Sequence, residues 1–124
     1  MHDIILETER LILRLWREAD AHDYYEINQD PRVLVFLGGP LTRKQVTDFF
    51  SVANDRYEKQ GFTLWAVELK ESSVLIGFIG LDLVRLDIHF TPAVEIAWRL
   101  GSQYWGNGYA TEGARAALAY GLDK

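Results

Sequence analysis

The sequence predicts an α/β (α+β) fold built as one domain over residues 1–124. Two periodicities predict it. Short runs such as Leu11-x-Leu13-x-Leu15 and Val94-x-Ile96-x-Trp98-x-Leu100 alternate with period two, whereas Val46, Phe49, Phe50, Ala53 and Tyr57 recur at three- and four-residue spacings. The first pattern suits strands and the second a helix with one apolar face. A third observation fixes their order near the end of the chain: a strand to Leu100, glycines at 101, 106 and 108, then an alanine-dense segment without proline.

Composition narrows the function classes. An apolar fraction of 48% with 25% charged residues is that of a folded chain. The net charge of −5, with both signs interspersed and no lysine or arginine run, argues against a nucleic-acid surface and tolerates a cationic amine substrate. No cysteine is present, which excludes disulfides and a thiolate nucleophile and is compatible with the reducing cytoplasm. Asp3, Glu7, Glu9, Arg10 and Arg14 interrupt the first residues, so no signal-peptide core is expected. No apolar run approaches the ~20 residues of a membrane span. His2, His22 and His89 have no ligand spacing, so no metal is expected.

Taken in order, Ile4 to Trp16 is predicted as one strand, with Leu11, Leu13 and Leu15 on one face and Ile12 and Arg14 on the other. Glu18 to Asn28 is predicted as a helix with Ala19, Ala21, Tyr24, Tyr25 and Ile27 as its apolar stripe, ended by Asp30-Pro31. Gly38-Gly39-Pro40 marks a turn. Thr42 is a predicted N-cap for a helix over 43–60, and Gly61 its C-terminal cap. Phe62 to Leu69 is apolar on both faces and therefore a central strand. Lys70 to Ser73 connects it to a strand over 74–83, whose Gly77 and Gly80 imply close packing or a bend. The link from Val84 to Pro92 is irregular and places His89 at the surface or in a hairpin. The next strand carries Glu95 and Arg99 on its second face, and the last helix runs from Tyr109 to about Leu122.

A strand, a glycine loop and a helix aim consecutive N–H groups and the positive end of a helix at one point, which suits an anion, usually phosphate. The dinucleotide fingerprint fails because Thr111 stands where a third glycine belongs, and no lysine followed by serine or threonine makes a P-loop. What remains is Gln103-x-x-Gly106-x-Gly108-Tyr109-Ala110. It resembles the Q/R-x-x-G-x-G/A pyrophosphate loop of the GNAT superfamily of N-acetyltransferases. IGFIGL upstream resembles the third strand of that superfamily and falls in the right order, while YWGNGYATEG and TERLILR are most similar to the Rim-type branch of ribosomal-protein N-terminal acetyltransferases.

The resemblance implies a mixed, mainly antiparallel central sheet flanked by helices, and acetyl-CoA as co-substrate. Its pyrophosphate is expected on the loop of Gln103, Tyr104, Trp105, Gly106, Asn107, Gly108, Tyr109 and Ala110, with Thr111 either adding a hydroxyl donor or capping the helix. The strand residues Trp98, Arg99 and Leu100 are expected to offer main-chain groups to the pantetheine arm. A primary amine, of a protein N-terminus or a small molecule, would attack the thioester directly. Glu95 matches a family carboxylate that acts as base, often through water, or else it is a solvent-facing residue of an alternating strand. Val33, Phe36 and Leu37, in DPRVLVFLGGP, either line the acceptor side or are core residues beneath a loop.

The departure from the family lies at the end. Members continue with a further strand, helix and strand that wall the acceptor channel and supply a general acid, so residues 1–124 correspond to the N-terminal two thirds of the family fold. The strand over 94–100 is expected to have an open edge, met by a second copy of the chain in a homodimer or left by truncation. Two other readings therefore stand beside the enzyme: an acyl-CoA-binding module with weak or no activity, and a structural unit that pairs with itself.

Overall fold

The computed structural model describes residues 3–34, 39–84 and 93–122. Five strands form one sheet in chain order: β1 (Ile4–Glu7), β2 (Leu11–Arg14), β3 (Leu64–Leu69), β4 (Leu75–Val84) and β5 (Ala93–Leu100). All four pairings are antiparallel, so the mainly antiparallel sheet that was expected is antiparallel throughout its described strands. The helices are α1 (Ala21–Ile27), α2 (Pro31–Leu34), α3 (Arg43–Gln60) and α4 (Tyr109–Leu122).

The sheet separates two apolar clusters. On one face Trp16, Tyr24, Val46, Phe50, Ala66 and Phe78 pack beneath α1 and α3. On the other, Leu11, Leu13, Trp65, Ile79 and Leu100 pack against Ala117 of α4. β3 is the middle strand, and its alternation sends Ala66 to the first cluster and Trp65 and Val67 to the second, as its two apolar faces require.

The α3 boundaries follow the cap residues. Thr42 accepts from Gln45 N at 3.1 Å while Gln45 Oε1 accepts from Thr42 N at 2.9 Å, a capping box. Gly61 ends the helix in the left-handed region at φ 85°. α4 likewise occupies the predicted span.

Two expectations are corrected. Ile4 to Trp16 is a hairpin of β1 and β2, because Thr8 N bonds Leu11 O at 2.9 Å and folds the chain back where polar residues 7–10 interrupt the apolar pattern. On the face it shares with Ile12, Arg14 is 3% exposed and donates to both Asp20 oxygens at 2.8 Å and to Glu68 at 2.9 Å. The predicted helix over 18–28 begins as a single 3-10 turn, Glu18–Asp20, in which Ala19 is exposed and Arg17 N donates to Asp20. The acidic side chain is drawn inward by Arg14, which sets where the regular helix starts. Residues 35–38 and 85–92, including Phe36, Leu37 and His89, lie outside the described residues.

Candidate active site

β5 is the edge of the described sheet, and its hydrogen bonding decides which main-chain groups are free. Gly101 N donates to Ile76 O at 2.9 Å, one step beyond the Leu100↔Gly77 pair. Antiparallel alternation then turns the N–H and C=O of Arg99 and Ala97 toward β4 and those of Trp98 and Leu100 toward the open edge. The same conclusion follows from Gly77, where an added Cβ would lie 2.0 Å from Arg99 O. Glycine at this position lets β5 approach β4. The Leu100 carbonyl is taken by Trp105 Nε1 at 2.9 Å, which leaves its N–H directed outward.

A cleft of about 900 Å³ runs along this edge and draws its walls from both faces of the sheet. Val33, Phe78, Ala97 and Arg99 line it on the α1 side; Trp98, Leu100, Tyr104 and Tyr109 line it on the α4 side. The lining is mostly apolar, with the glycine loop on the α4 side and the Arg99 guanidinium on the α1 side.

One side carries the glycine loop. Gly106 and Gly108 both stand at φ 81°, a region that strains every residue with a Cβ. Nothing lies within 4 Å of a Cβ built on Gly106, so its requirement is conformational. Gly108 O accepts from Glu112 N at 3.0 Å and closes the first turn of α4, whose leading N–H groups at Tyr109, Ala110 and Thr111 have no intrahelical acceptor. Asn107 Nδ2 donates to Tyr104 O at 3.1 Å and braces the loop from within. Gly113, one turn on, allows α4 to seat on Ile79: a Cβ there would meet Ile79 Cδ1 at 2.3 Å.

Beside this loop stands Arg10, a residue the sequence did not single out. Its Nη2 is 3.4 Å from the position a Gly108 Cβ would take, and its guanidinium carbon is 4.4 Å from the Tyr109 ring centroid. Glu112 holds it through Nε at 2.6 Å, and also accepts from Thr8 Oγ1 and Arg10 N. Burial alone would raise the Glu112 carboxyl, but the bonds from Thr8 and Arg10 outweigh it and hold the group below the usual carboxylate range.

The other side, that of α1, carries Arg99. Arg99 Nη1 donates to Asn28 Oδ1 at 2.6 Å and approaches Tyr24 Oη at 3.4 Å, while the guanidinium sits 5.4 Å over the Phe78 ring. Asn28 is fully buried, and its Nδ2 donates to Tyr24 O at 2.7 Å. Burial pushes the Tyr24 phenol up although the Arg99 charge pulls it down, so it stays protonated at neutral pH. Nearby, Ser102 Oγ donates to Asp30, and this bond, with one from Arg32 N, holds the Asp30 carboxyl below its ordinary value.

Of the residues expected at the site, Val33, Trp98, Arg99, Leu100, Tyr104 and Trp105 meet in the cleft, as do Gly106, Gly108, Tyr109, Ala110 and Thr111. Gln103, Asn107 and Glu95 are exposed and do not line it. Val33 is 3% exposed and belongs to the core cluster as well as the cleft wall. Tyr24, Asn28 and Phe78 were missed. The Tyr24-to-Asn28 spacing of one helical turn was visible, but nothing in the sequence pairs it with Arg99.

Among the described residues no cluster of His, Cys, Asp or Glu could hold a metal, and no helix is long and apolar enough to cross a membrane.

An antiparallel sheet covered by helices on both faces, with a glycine loop joining its edge strand to a helix, is the architecture of an acetyltransferase domain. The chain belongs to the acetyltransferase (GNAT) domain family, whose model matches residues 10–124. YkkB, an uncharacterized protein of Bacillus subtilis, is 32% identical over 121 residues, covering 96% of this chain and 69% of that one. An acetyltransferase structure from Agrobacterium tumefaciens aligns with a TM-score of 0.76 at 29% identity, covering 95% of this chain and 66% of that chain. RimL, a ribosomal L7/L12 alpha-N-protein acetyltransferase, shares the fold with a TM-score of 0.75 at 12% identity, over 98% of this chain and 65% of its own. The chain thus spans about two thirds of the length of these relatives.

Proposed function

We propose that residues 1–124 act as one acetyltransferase domain, which binds acetyl-CoA along β5 and transfers the acetyl group to a primary amine in the cytoplasm. One observation carries the reading: the outward N–H groups of Trp98 and Leu100 border a cleft that ends on the Gly106–Gly108 loop and the α4 N-terminus. An extended pantetheine arm meets donors there as an added strand would, and the pyrophosphate meets the leading N–H groups of α4. Each helix-end contact contributes only about 0.3–1 kcal/mol, so the loop must act as a set. Arg10 adds a cation beside it.

In the reaction the amine nitrogen bonds to the thioester carbonyl carbon, the C–S bond breaks, and the electron pair leaves on the CoA sulfur. Leu100 N–H is aimed to stabilise charge on the carbonyl oxygen. The amine proton passes to Glu95, through water because Glu95 stands outside the cleft wall on the same face of β5 as Arg99. Solvent returns a proton to the thiolate. Holding both reactants along one edge supplies several kcal/mol, up to about 7–11 in favourable systems. A protein N-terminus, with a pKa of about 7.7–8.0, is partly neutral at pH 7 and needs less assistance than a lysine at about 10.4.

The absence of Glu95 from the cleft lining favours a second reading, a module that binds acyl-CoA without turnover. Calorimetric titration with acetyl-CoA, beside CoA release with a panel of amines, separates the two. Binding with turnover supports the enzyme, and binding alone supports the module. Replacing Gly106 and Gly108 by valine should weaken acetyl-CoA binding at least tenfold; unchanged affinity would refute both. The particle mass in solution shows whether a second copy pairs along β5.

A further inference from the structure

Arg99 stands apart from the arginines paired elsewhere in the molecule. Arg10, Arg14, Arg17, Arg32 and Arg56 each meet a carboxylate within 3.5 Å, while Arg43 and Arg115, which meet none among the described residues, are exposed to solvent. Among the described residues Arg99 meets none, although it is half-buried in the cleft wall. Its partners are an amide oxygen, a phenol and the face of Phe78, all neutral. A guanidinium withdrawn from water without an anion is costly, so a position that keeps one is poised to receive an anion.

The surroundings keep it ready. Asn28 is 0% exposed, and its oxygen is aimed by the bond from its own Nδ2 to Tyr24 O. An aspartate at 28 would neutralise the cation; the amide orients it and leaves the charge. Only Nη1 is engaged by described partners, so the remaining donors of the fork are available to a planar two-oxygen acceptor, the geometry arginine matches best. Among the described residues no neighbouring carboxylate compensates it. Asp30 is occupied by Ser102 and Arg32 N, and Glu95, on the same face of β5, forms no ion pair with it among the described residues.

Position tells which anion. The guanidinium reaches α1 and lies on the sheet face of Phe78 and Val33, whereas the glycine loop follows Leu100 on the α4 face. The phosphates of acetyl-CoA belong at the loop. A ligand group at Arg99 lies on the opposite side of the edge strand from that loop, the side of the cleft that cofactor phosphates at the loop would leave to the acceptor. We propose that Arg99 binds a carboxylate of the acceptor, so that the substrate class is an amine that also carries a carboxylate, such as an amino acid or an acidic peptide, in preference to a polyamine. The inference rests on the acetyltransferase reading above.

The test compares each amino acid with its carboxamide, which keeps the amine and removes the negative charge. CoA release should show kcat/KM at least tenfold higher for the acid, with the difference in KM. In R99Q that ratio should collapse toward one, and R99K should retain part of it, since it keeps the charge and loses the fork. Acetyl-CoA affinity of R99Q should match the wild type, and a cooperative melt verifies its fold. A binding readout keeps the idea testable without turnover: amino acids should raise the melting temperature of the CoA complex and their amides should not. Equal behaviour of acid and amide in the wild type, or a preference that survives in R99Q, would overturn the proposal. So would a tenfold loss of acetyl-CoA affinity in R99Q, which would assign the cation to the cofactor phosphates. Failure of acetyl-CoA to bind at all would instead sink the reading on which it rests.

Discussion

Arg10 Nε donates to Glu112 Oε1 at 2.6 Å, and through this bond the turn between β1 and β2 is fastened to the first turn of α4. The second carboxylate oxygen accepts from Thr8 Oγ1 at 2.5 Å and from Arg10 N at 2.9 Å. One side chain thus joins residues about a hundred positions apart in sequence and sets the helix whose N-terminus faces the cleft. A carboxylate in the first turn also complements the helix dipole.

Because the Glu112 pKa is depressed in the folded chain, its stabilisation is complete above the unfolded value of about 4.3 and is lost as pH falls through the folded value. Glu112→Gln should lower the melting temperature at pH 7 by about 2–4 °C. The difference between variant and wild type should narrow below about pH 4. Thermal melts from pH 3 to 7 measure it, and a constant difference across that range would contradict the role given to the carboxylate.

Asp20 is the bidentate partner of buried Arg14, and both side chains are under 8% exposed. Burial works against the Arg14 charge, but its bonds to the Asp20 and Glu68 carboxylates outweigh it and hold its pKa above the ordinary value. Asp20→Asn removes the charge while Glu68 remains, so the loss should fall near the lower end of that for breaking a buried pair, about 3 kcal/mol. Urea unfolding reads this directly, and a change under 1 kcal/mol would mean that Glu68 alone suffices.

Gly77 and Gly113 are both closely packed but against different obstacles. A Cβ at Gly77 meets the Arg99 carbonyl oxygen at 2.0 Å and its φ is 144°, whereas a Cβ at Gly113 meets the tip of the Ile79 side chain. Gly77→Ala should therefore exceed the usual overpacking cost of about 1–3 kcal/mol, and Gly113→Ala should fall within it as Ile79 changes rotamer. Only Gly77→Ala should also disturb acetyl-CoA binding, because it displaces β5. Comparable losses of stability would show that backbone and side-chain obstacles are equivalent here.

Glu95→Gln tests the proposed base. If Glu95 takes the amine proton, kcat should fall by about 10²-fold with the acetyl-CoA dissociation constant unchanged, and the loss should lessen as pH approaches the amine pKa. An unaltered kcat would return Glu95 to the solvent-facing polar residue that its exposure also suits.

Local chemistry was legible without the fold. The Thr42 and Gly61 caps bounded α3, apolar residues on both faces placed β3 in the middle, and the spacing Gln103-x-x-Gly106-x-Gly108 marked the loop ahead of α4. These signals act over a few residues, so sequence alone determines them, and the last of them carried the resemblance to the acetyltransferase family. What needed tertiary structure was pairing across distance. The sequence reads the hairpin as one strand because alternation from Arg10 onward follows directly on the apolar residues 4–6, and only the closing bond and Glu112 reveal the turn at residues 7–10. The Arg14–Asp20–Glu68 network and the Asn28–Arg99 bond join residues up to 71 positions apart. No periodicity encodes such contacts, because they depend on which strand faces which helix. For the same reason the sequence named Arg99 for its main chain, whereas the register of β5 turns that main chain toward β4 and leaves the side chain to define the cleft.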